Sequence, residues 1–203
     1  MHIEFLLEED STGAALEVLL PKIIGQRATY IFHVYQGKPD LLGNLGARLA
    51  GYRQWIPDDW RIVVLIDQDD DDCRALKGRM EAIAQQVGLT TKTAARPGAS
   101  FKVVNRLAIE ELEAWFFGDV QALCAAYPGV PRTLGNRAKF RNPDAIKGGT
   151  WEAMEKVLQK AGYYRAGMPK IECASRIAQQ MDPQRNVSRS FRLFRDTLRA
   201  VVR

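Results

Sequence analysis

Residues 61–73 read RIVVLIDQDDDDC. An apolar, β-branched run with no polar face ends in five aspartates within six positions, 67 to 72. Such a run belongs in the middle of a parallel sheet covered on both faces. The aspartates repel one another at its end and call for a counter-charge.

HIEFLL (2–7) and ATYIFHVY (28–35) have strand composition, and a further strand is expected within 101–109. Helical spacing separates them. Leu16, Leu19, Leu20 and Ile23 form one apolar stripe, capped by Asp10, Ser11 or Thr12, with Pro21 as a kink. Leu41, Leu42, Leu45 and Leu49 form a second stripe. Cys73, Leu76, Met80, Ile83 and Val87 form a third, closed by Gly88. This alternation predicts an α/β fold with a mostly parallel central sheet flanked by helices. Beyond residue 128 the strand signal vanishes among prolines and glycines. Three helices then follow: WEAMEKVLQKAG with Thr150 as cap, PKIECASRIAQQM with Pro169 in its first turn, and SRSFRLFRDTLRAVV with Ser188 as cap. The expected organisation is an α/β core over 1–127 and a helical C-terminal extension over 128–203, packed on the core.

The chain has 203 residues, 46% of them hydrophobic, enough for a substantial core. No apolar run reaches the ~18–20 residues of a membrane span, and no signal-peptide layout opens the sequence. Cys73, Cys124 and Cys173 are far apart, without a CxxC pair, which fits a reducing cytoplasm. The net charge of +5 is uneven: residues 132–203 carry 16 Lys and Arg against 6 Asp and Glu, whereas residues 1–131 carry 13 against 18. A basic end beside an acidic cluster suggests a phosphate-bearing partner such as nucleic acid.

Ligands of an open parallel sheet gather beyond the carboxyl ends of its strands. Asp67 ends one strand there and Glu8 follows another. If the strands are neighbours and the following segment is extended, Glu8, Asp67 and Asp69 converge, Asp67 and Asp69 sharing a side by their i, i+2 spacing. Clustered carboxylates favour a hard cation, Mg²⁺ or Mn²⁺. Asp70 and Asp72 read instead as N-terminal charges of the next helix. An EF-hand loop is excluded, because the glycine and closing glutamate are missing at their offsets and a strand precedes the run. In AIEELEAWFFGD (108–119), Glu110 and Glu113 are spaced to share a helix face while Glu111 points elsewhere.

Four segments, LLEEDSTGAALEVLLPKI, YQGKPDLL, VVLIDQDDDDC and EELEAWFFGD, resemble a family of uncharacterised bacterial proteins, number four-two-seven-six among the domains of unknown function, grouped with Toprim-like folds. GGTWEAMEKVL, MPKIECASRIA and NVSRSFRLFRDTL extend the resemblance over nearly the whole chain. In the Toprim superfamily, which includes topoisomerases, primases and the OLD (overcoming lysogenisation defect) nucleases, a glutamate after the first strand and an Asp-x-Asp after a later one bind Mg²⁺ for phosphodiester chemistry. The resemblance places Glu8, Asp67 and Asp69 in those catalytic, metal-binding positions. More loosely, it places Glu110 and Glu113 at a second ion, as in OLD-like nucleases. Glu9 stands where many Toprim proteins have glycine, and no tyrosine is assignable as a topoisomerase nucleophile.

The expected activity is therefore Mg²⁺- or Mn²⁺-dependent hydrolysis of DNA or RNA. Arg137, Lys139 and Arg141 of NRAKFRN are candidate phosphate contacts, with Gly148 and Gly149 allowing close approach. On the last helix Phe191, Phe194, Leu198 and Val201 form one stripe and Arg189, Arg192, Arg195, Arg199 and Arg203 another, so the arginines, Arg192, Arg195 and Arg199 among them, are expected to face solvent or phosphate. The alternative is a non-catalytic nucleic-acid or nucleotide-binding module serving a partner. OLD-type nucleases work with an ATPase, and this chain has no GxxxxGK[ST] loop, so a separate ATPase subunit is an expected partner. A phosphatase or receiver domain ranks third, because the Asp-x-Asp closes a late strand and lacks the residues that follow a phosphatase nucleophile.

Overall fold

The computed structural model describes all 203 residues. In chain order the elements are β1 (His2–Leu7), α1 (Asp10–Ile24), β2 (Thr29–Val34), α2 (Lys38–Arg53), β3 (Trp60–Asp67), α3 (Cys73–Gln86), β4 (Val103–Ala108), α4 (Glu113–Phe117), α5 (Val120–Ala126), α6 (Thr150–Lys160), α7 (Lys170–Gln180) and α8 (Arg189–Val201). Two compact units result, Met1–Asp10 with Gln26–Leu107, and Ser11–Gly25 with Ala108–Arg203. The division thus falls at Leu107 rather than after residue 127, and nearly all of α1 groups with the later residues. The grouping follows tertiary contacts, which the local change from strand to helix does not report.

The first unit holds a four-stranded, all-parallel sheet in the order β2-β1-β3-β4, so the fold is α/β as the alternation predicts. In β3 every residue from Ile62 to Asp67 is buried, as its unbroken apolar run requires. One face of the sheet presents Leu6, Ile62, Val64 and Ile66 to Leu41, Leu45 and Leu49 of α2 and to Leu76, Met80 and Ala84 of α3. The four-residue spacing within each helix is what lines up these side chains. Each such Leu or Ile contributes about 1.5–3 kcal/mol by leaving water. The alternate strand residues Ile3, Phe5, Leu7, Val63 and Leu65 are equally buried. Asp72 caps α3, its Oδ1 accepting from the N–H groups of Arg74 (3.0 Å) and Ala75 (2.8 Å).

The strand order fixes where a ligand can bind. From β1 the chain moves to β2 on one side, then returns to β3 on the other. Beyond the carboxyl ends of β1 and β3 the connections diverge, which makes this the topological switch point of an open α/β sheet. Leu7 pairs with Leu65, which sets Glu8 and Asp67 at that end.

The second unit is helical. Trp115, Phe191 and Phe194 form its aromatic centre, and the Trp115 indole N–H donates to the Ser190 hydroxyl at 2.9 Å. Ser188 caps α8 as its position predicts, its Oγ accepting from Phe191 N–H at 3.1 Å. Thr150 does not cap α6. Gly149, at φ 78°, holds that place, and the buried Thr150 hydroxyl donates to Glu111 Oε2 at 2.8 Å. The left-handed turn suits glycine and puts threonine one position inside the helix. Lys22 Nζ caps the other end of a helix, donating to the carbonyls of Ala178, Gln179 and Met181 after the last turn of α7. No helix is long and apolar enough to cross a membrane.

Candidate metal centre at the ends of β1 and β3

Glu8 links three segments of the first unit. Its Oε2 accepts the backbone N–H of Asp67 at 2.9 Å, and its Oε1 accepts that of Lys38 at 3.1 Å. Lys38 is the first residue of α2, whose cap position is Gly37, a residue with no side chain to offer. Gly37 has φ 91°, which favours glycine, and its N–H donates to the Glu8 carbonyl at 3.0 Å. Glu8 thus supplies the acceptor that the N-terminus of α2 lacks, and ties it to the end of β3.

The cation in this cluster is Lys38. Its ammonium lies 2.8 Å from Asp69 Oδ2 and 2.7 Å from Asp71 Oδ2, and donates to the Gln68 carbonyl at 2.8 Å. Burial of the Lys38 amine opposes its charge, yet the two carboxylates hold its pKa above the usual lysine value. Glu8 shifts the other way for a carboxylate. Burial raises its pKa, the Asp67 N–H offsets part of that, and Asp69 raises it again by repulsion. Asp67 is 8% exposed, whereas Asp69 and Asp71 reach solvent.

Three sequence expectations need amending here. Asp69 has φ 51°, so the segment after Asp67 is not extended and the i, i+2 argument for a common side fails. Aspartate tolerates the left-handed region better than most residues, which lets the chain turn there toward α3. Glu110 also has φ 62° and lies outside α4, which starts at Glu113, so those two glutamates do not share a helix face. Glu111 Oε2 accepts from Trp151 N–H at 2.7 Å besides the Thr150 hydroxyl. Glu113 is buried, 3% exposed. On α8, the arginines do not all face solvent. Arg192 is exposed, but Arg195 donates to the Pro183 carbonyl at 2.6 Å and to Asp196 at 2.7 Å, and Arg199 reaches the Ile23 carbonyl at 3.4 Å. Arg137, Lys139 and Arg141 are exposed.

The donor chemistry at the switch point fits a hard divalent cation. The carboxylates of Glu8, Asp67 and Asp69 offer only oxygen and Glu8 keeps a spare lone pair on each oxygen, whereas the Lys38 ammonium, which already balances Asp69 and Asp71, would have to give way to an ion. Fully closed coordination is not in place, because no three His, Cys, Asp or Glu side chains surround one point at metal-binding range.

A second polar cluster escaped sequence reasoning. Glu4, buried within β1, meets both histidines of the chain: His33 Nε2 at 2.5 Å and His2 Nε2 at 3.2 Å. The Tyr52 hydroxyl donates to Glu4 Oε2 at 2.7 Å. Burial pushes the Glu4 carboxyl up, but Tyr52, His33 and His2 together bring it below the usual value. Arg48 stands over the Tyr52 ring at 5.1 Å, and a shallow cavity of about 440 Å³ opens beside them. The available signal was a charged residue in an apolar strand, with His2 two positions away on the same face.

A family model described as Domain of unknown function (DUF4276) matches residues 7–199. No curated protein matches the chain, and no solved structure does.

Proposed function

The chain belongs to the DUF4276 family, and we propose that it is a metal-dependent nuclease of Toprim type, hydrolysing phosphodiester bonds of DNA or RNA with Mg²⁺ or Mn²⁺. The observation that carries this reading is the hydrogen bond from Asp67 N–H to Glu8 Oε2 at the switch point of the sheet. It joins the two strand ends whose carboxylates the Toprim pattern requires, at the place where α/β sheets bind ligands.

Glu8, Asp67 and Asp69 would hold the ion. A bound divalent cation would polarise the phosphoryl oxygen and acidify an attacking water. Glu8, whose carboxylate accepts the N–H groups of Asp67 and Lys38, would take the proton from that water. Lys38 would be released from Asp69 if an ion neutralised that carboxylate, and its ammonium would then be available to a phosphate oxygen. Arg137, Lys139, Arg141 and Arg192, all exposed, bind backbone phosphates. Arg195 and Arg199 are left out, since both are half-buried and bond to the chain itself, whereas Arg141 is exposed despite its bond to the Asn136 carbonyl. Glu110 and Glu113 are left out as second-ion ligands, since Glu110 lies outside the helix and Glu113 is buried at its start. A separate ATPase partner remains part of the proposal, supported by the absence of a phosphate-binding GxxxxGK[ST] loop. Three free cysteines support a reducing, cytoplasmic setting.

The test is cleavage of end-labelled single- and double-stranded DNA and RNA with Mg²⁺, Mn²⁺ or EDTA. Metal-dependent cleavage that disappears in Asp67→Asn supports the reading. Metal-dependent cleavage retained in Asp67→Asn refutes the assigned site, and binding without cleavage under all conditions favours the non-catalytic module.

A further inference from the structure

A cleft of the second unit, about 880 Å³, opens between α5, the loop carrying Arg132 to Arg141, and the segment Arg185–Val187. Its charge is one-sided. Asp119 is the single carboxylate in the lining and is fully committed: it accepts from Arg185 Nε (2.7 Å) and Nη2 (2.8 Å), from Ala122 N–H (3.1 Å) and from Asp182 N–H (2.9 Å). Arg185 is thereby neutralised and fixed. Arg132 and Arg141 also line the cleft, are exposed, and have no carboxylate partner. Arg141 Nη2 donates to the Asn136 carbonyl at 3.3 Å, which leaves its charge unbalanced. Two guanidiniums without a carboxylate over a neutral floor attract an anion, and their planar forks match phosphate.

The cleft also carries an aromatic platform. Phe140 is half-buried and stacks on the fully buried Phe117, with ring centroids 5.0 Å apart and planes at 25°. Buried Phe117 braces it, so a flat apolar ring is held in place before any ligand arrives. Val187, 56% exposed, adds an apolar lip. The floor is close-packed around Gly118: a Cβ there would meet Asn186 Oδ1 at 2.1 Å, so the backbone approaches that side chain as only glycine allows.

A braced aromatic ring beside two guanidiniums whose charge no carboxylate balances is the pairing used to bind a base and its phosphates. We propose that this cleft binds single-stranded nucleic acid, one unpaired base stacking on Phe140 and the flanking phosphates pairing with Arg132 and Arg141. Duplex is disfavoured because its bases are already stacked on one another and present no free face. The open trough suits a continuing strand. The choice of nucleic acid as ligand rests on the proposed function; the cleft, its charge and its platform do not.

The test measures fluorescence anisotropy of labelled 12-mer single-stranded DNA and RNA, with a blunt hairpin duplex as comparison, in EDTA so that binding is read without cleavage. The wild type should bind single strand more tightly than duplex. Phe140→Leu, which keeps an apolar contact with Phe117 but removes the π-face, should weaken single-strand binding by about tenfold with the salt slope unchanged. Arg132→Gln and Arg141→Gln should each reduce the slope of log affinity against log salt by about 0.7. Thermal melts establish that each variant is folded. Equal affinity for duplex, or unaltered binding by Phe140→Leu, overturns the assignment. Competition by a free 5′-mononucleotide as strong as by the oligonucleotide also overturns it, in favour of a nucleotide site. Binding that follows these expectations in a protein that never cleaves sinks the nuclease reading alone. Cleavage that survives while Phe140→Leu binds normally sinks this one alone.

Discussion

Lys38 and Asp69 form an ion pair of 2.8 Å across the switch point, and the same ammonium holds Asp71 at 2.7 Å. A lysine there gives the acidic run a counter-charge when no metal is bound. It also competes with an incoming ion for Asp69. Lys38→Gln should therefore bind Mn²⁺ more tightly than the wild type, by about tenfold, since a unit charge near a divalent ion in a largely aqueous setting is worth roughly 1 kcal/mol or somewhat more. The metal-free variant should lose no more than about 1 kcal/mol of stability, because both aspartates reach solvent. Isothermal titration and urea melts measure the two effects. Unchanged or weaker Mn²⁺ affinity would show that Lys38 does not compete with the ion.

Glu4 and Glu8, four residues apart on either side of the end of β1, respond to pH with opposite signs. Glu4 has a folded pKa below its ordinary 4.5. Its contribution to stability is present above 4.5 and is lost as pH falls through the lowered value. Glu8 has a folded pKa above 4.5. The folded state then binds its proton more tightly than the unfolded state does, so stability falls as pH rises from 4.5 through the raised value. Urea midpoints in EDTA between about pH 3 and pH 8 should show Glu4→Gln losing the acid-side fall and Glu8→Gln losing the fall above 4.5. Parallel profiles for all three proteins would contradict both assignments.

Asp72 separates folding from ion binding within the same acidic run. Its carboxylate takes two N–H groups at the start of α3. Asp72→Ala should cost about 1 kcal/mol through loss of that cap. Its gain in melting temperature on adding Mg²⁺ should equal that of the wild type. A reduced gain would place Asp72 in the metal centre.

The sheet was legible because its strands are short apolar runs with sharp ends: HIEFLL gives β1 to the residue, and RIVVLID falls one short of β3. Caps such as Asp72 and Ser188 were legible because the helix N-terminus creates a local demand that few side chains meet. Lys38 was not. It lies about thirty residues from both Glu8 and Asp69, and the parallel pairing of β1 with β2 on one side and β3 on the other brings them together. The φ of 51° at Asp69 was hidden too, since an aspartate is compatible with an extended or a left-handed backbone and only the path into α3 selects one. For the same reason the division at Leu107 could not be read from local sequence, because contacts over more than a hundred residues, such as Lys22 with the end of α7, decide which unit α1 joins.

The arginines of α8 divide by what they touch. Arg195→Gln forfeits a hydrogen bond to the Pro183 carbonyl and should cost about 1 kcal/mol in a urea melt. Arg192→Gln should leave stability unchanged and lower the salt slope of nucleic-acid binding by about 0.7–0.9, the share of one phosphate contact. If Arg192→Gln leaves that slope intact, the exposed stripe serves solubility rather than phosphate binding.

The central claim is that the switch-point carboxylates hold a divalent cation. Electron paramagnetic resonance of Mn²⁺ titrated into wild type, Asp69→Asn and Asp67→Asn tests it most directly. Asparagine also tolerates the left-handed backbone found at Asp69, so that variant removes a charge with little strain. Saturable binding by the wild type, weakened at least tenfold in both variants while melts in EDTA show them folded, is the predicted result. Mn²⁺ binding equal in all three proteins, or no saturable binding by the wild type, would contradict it.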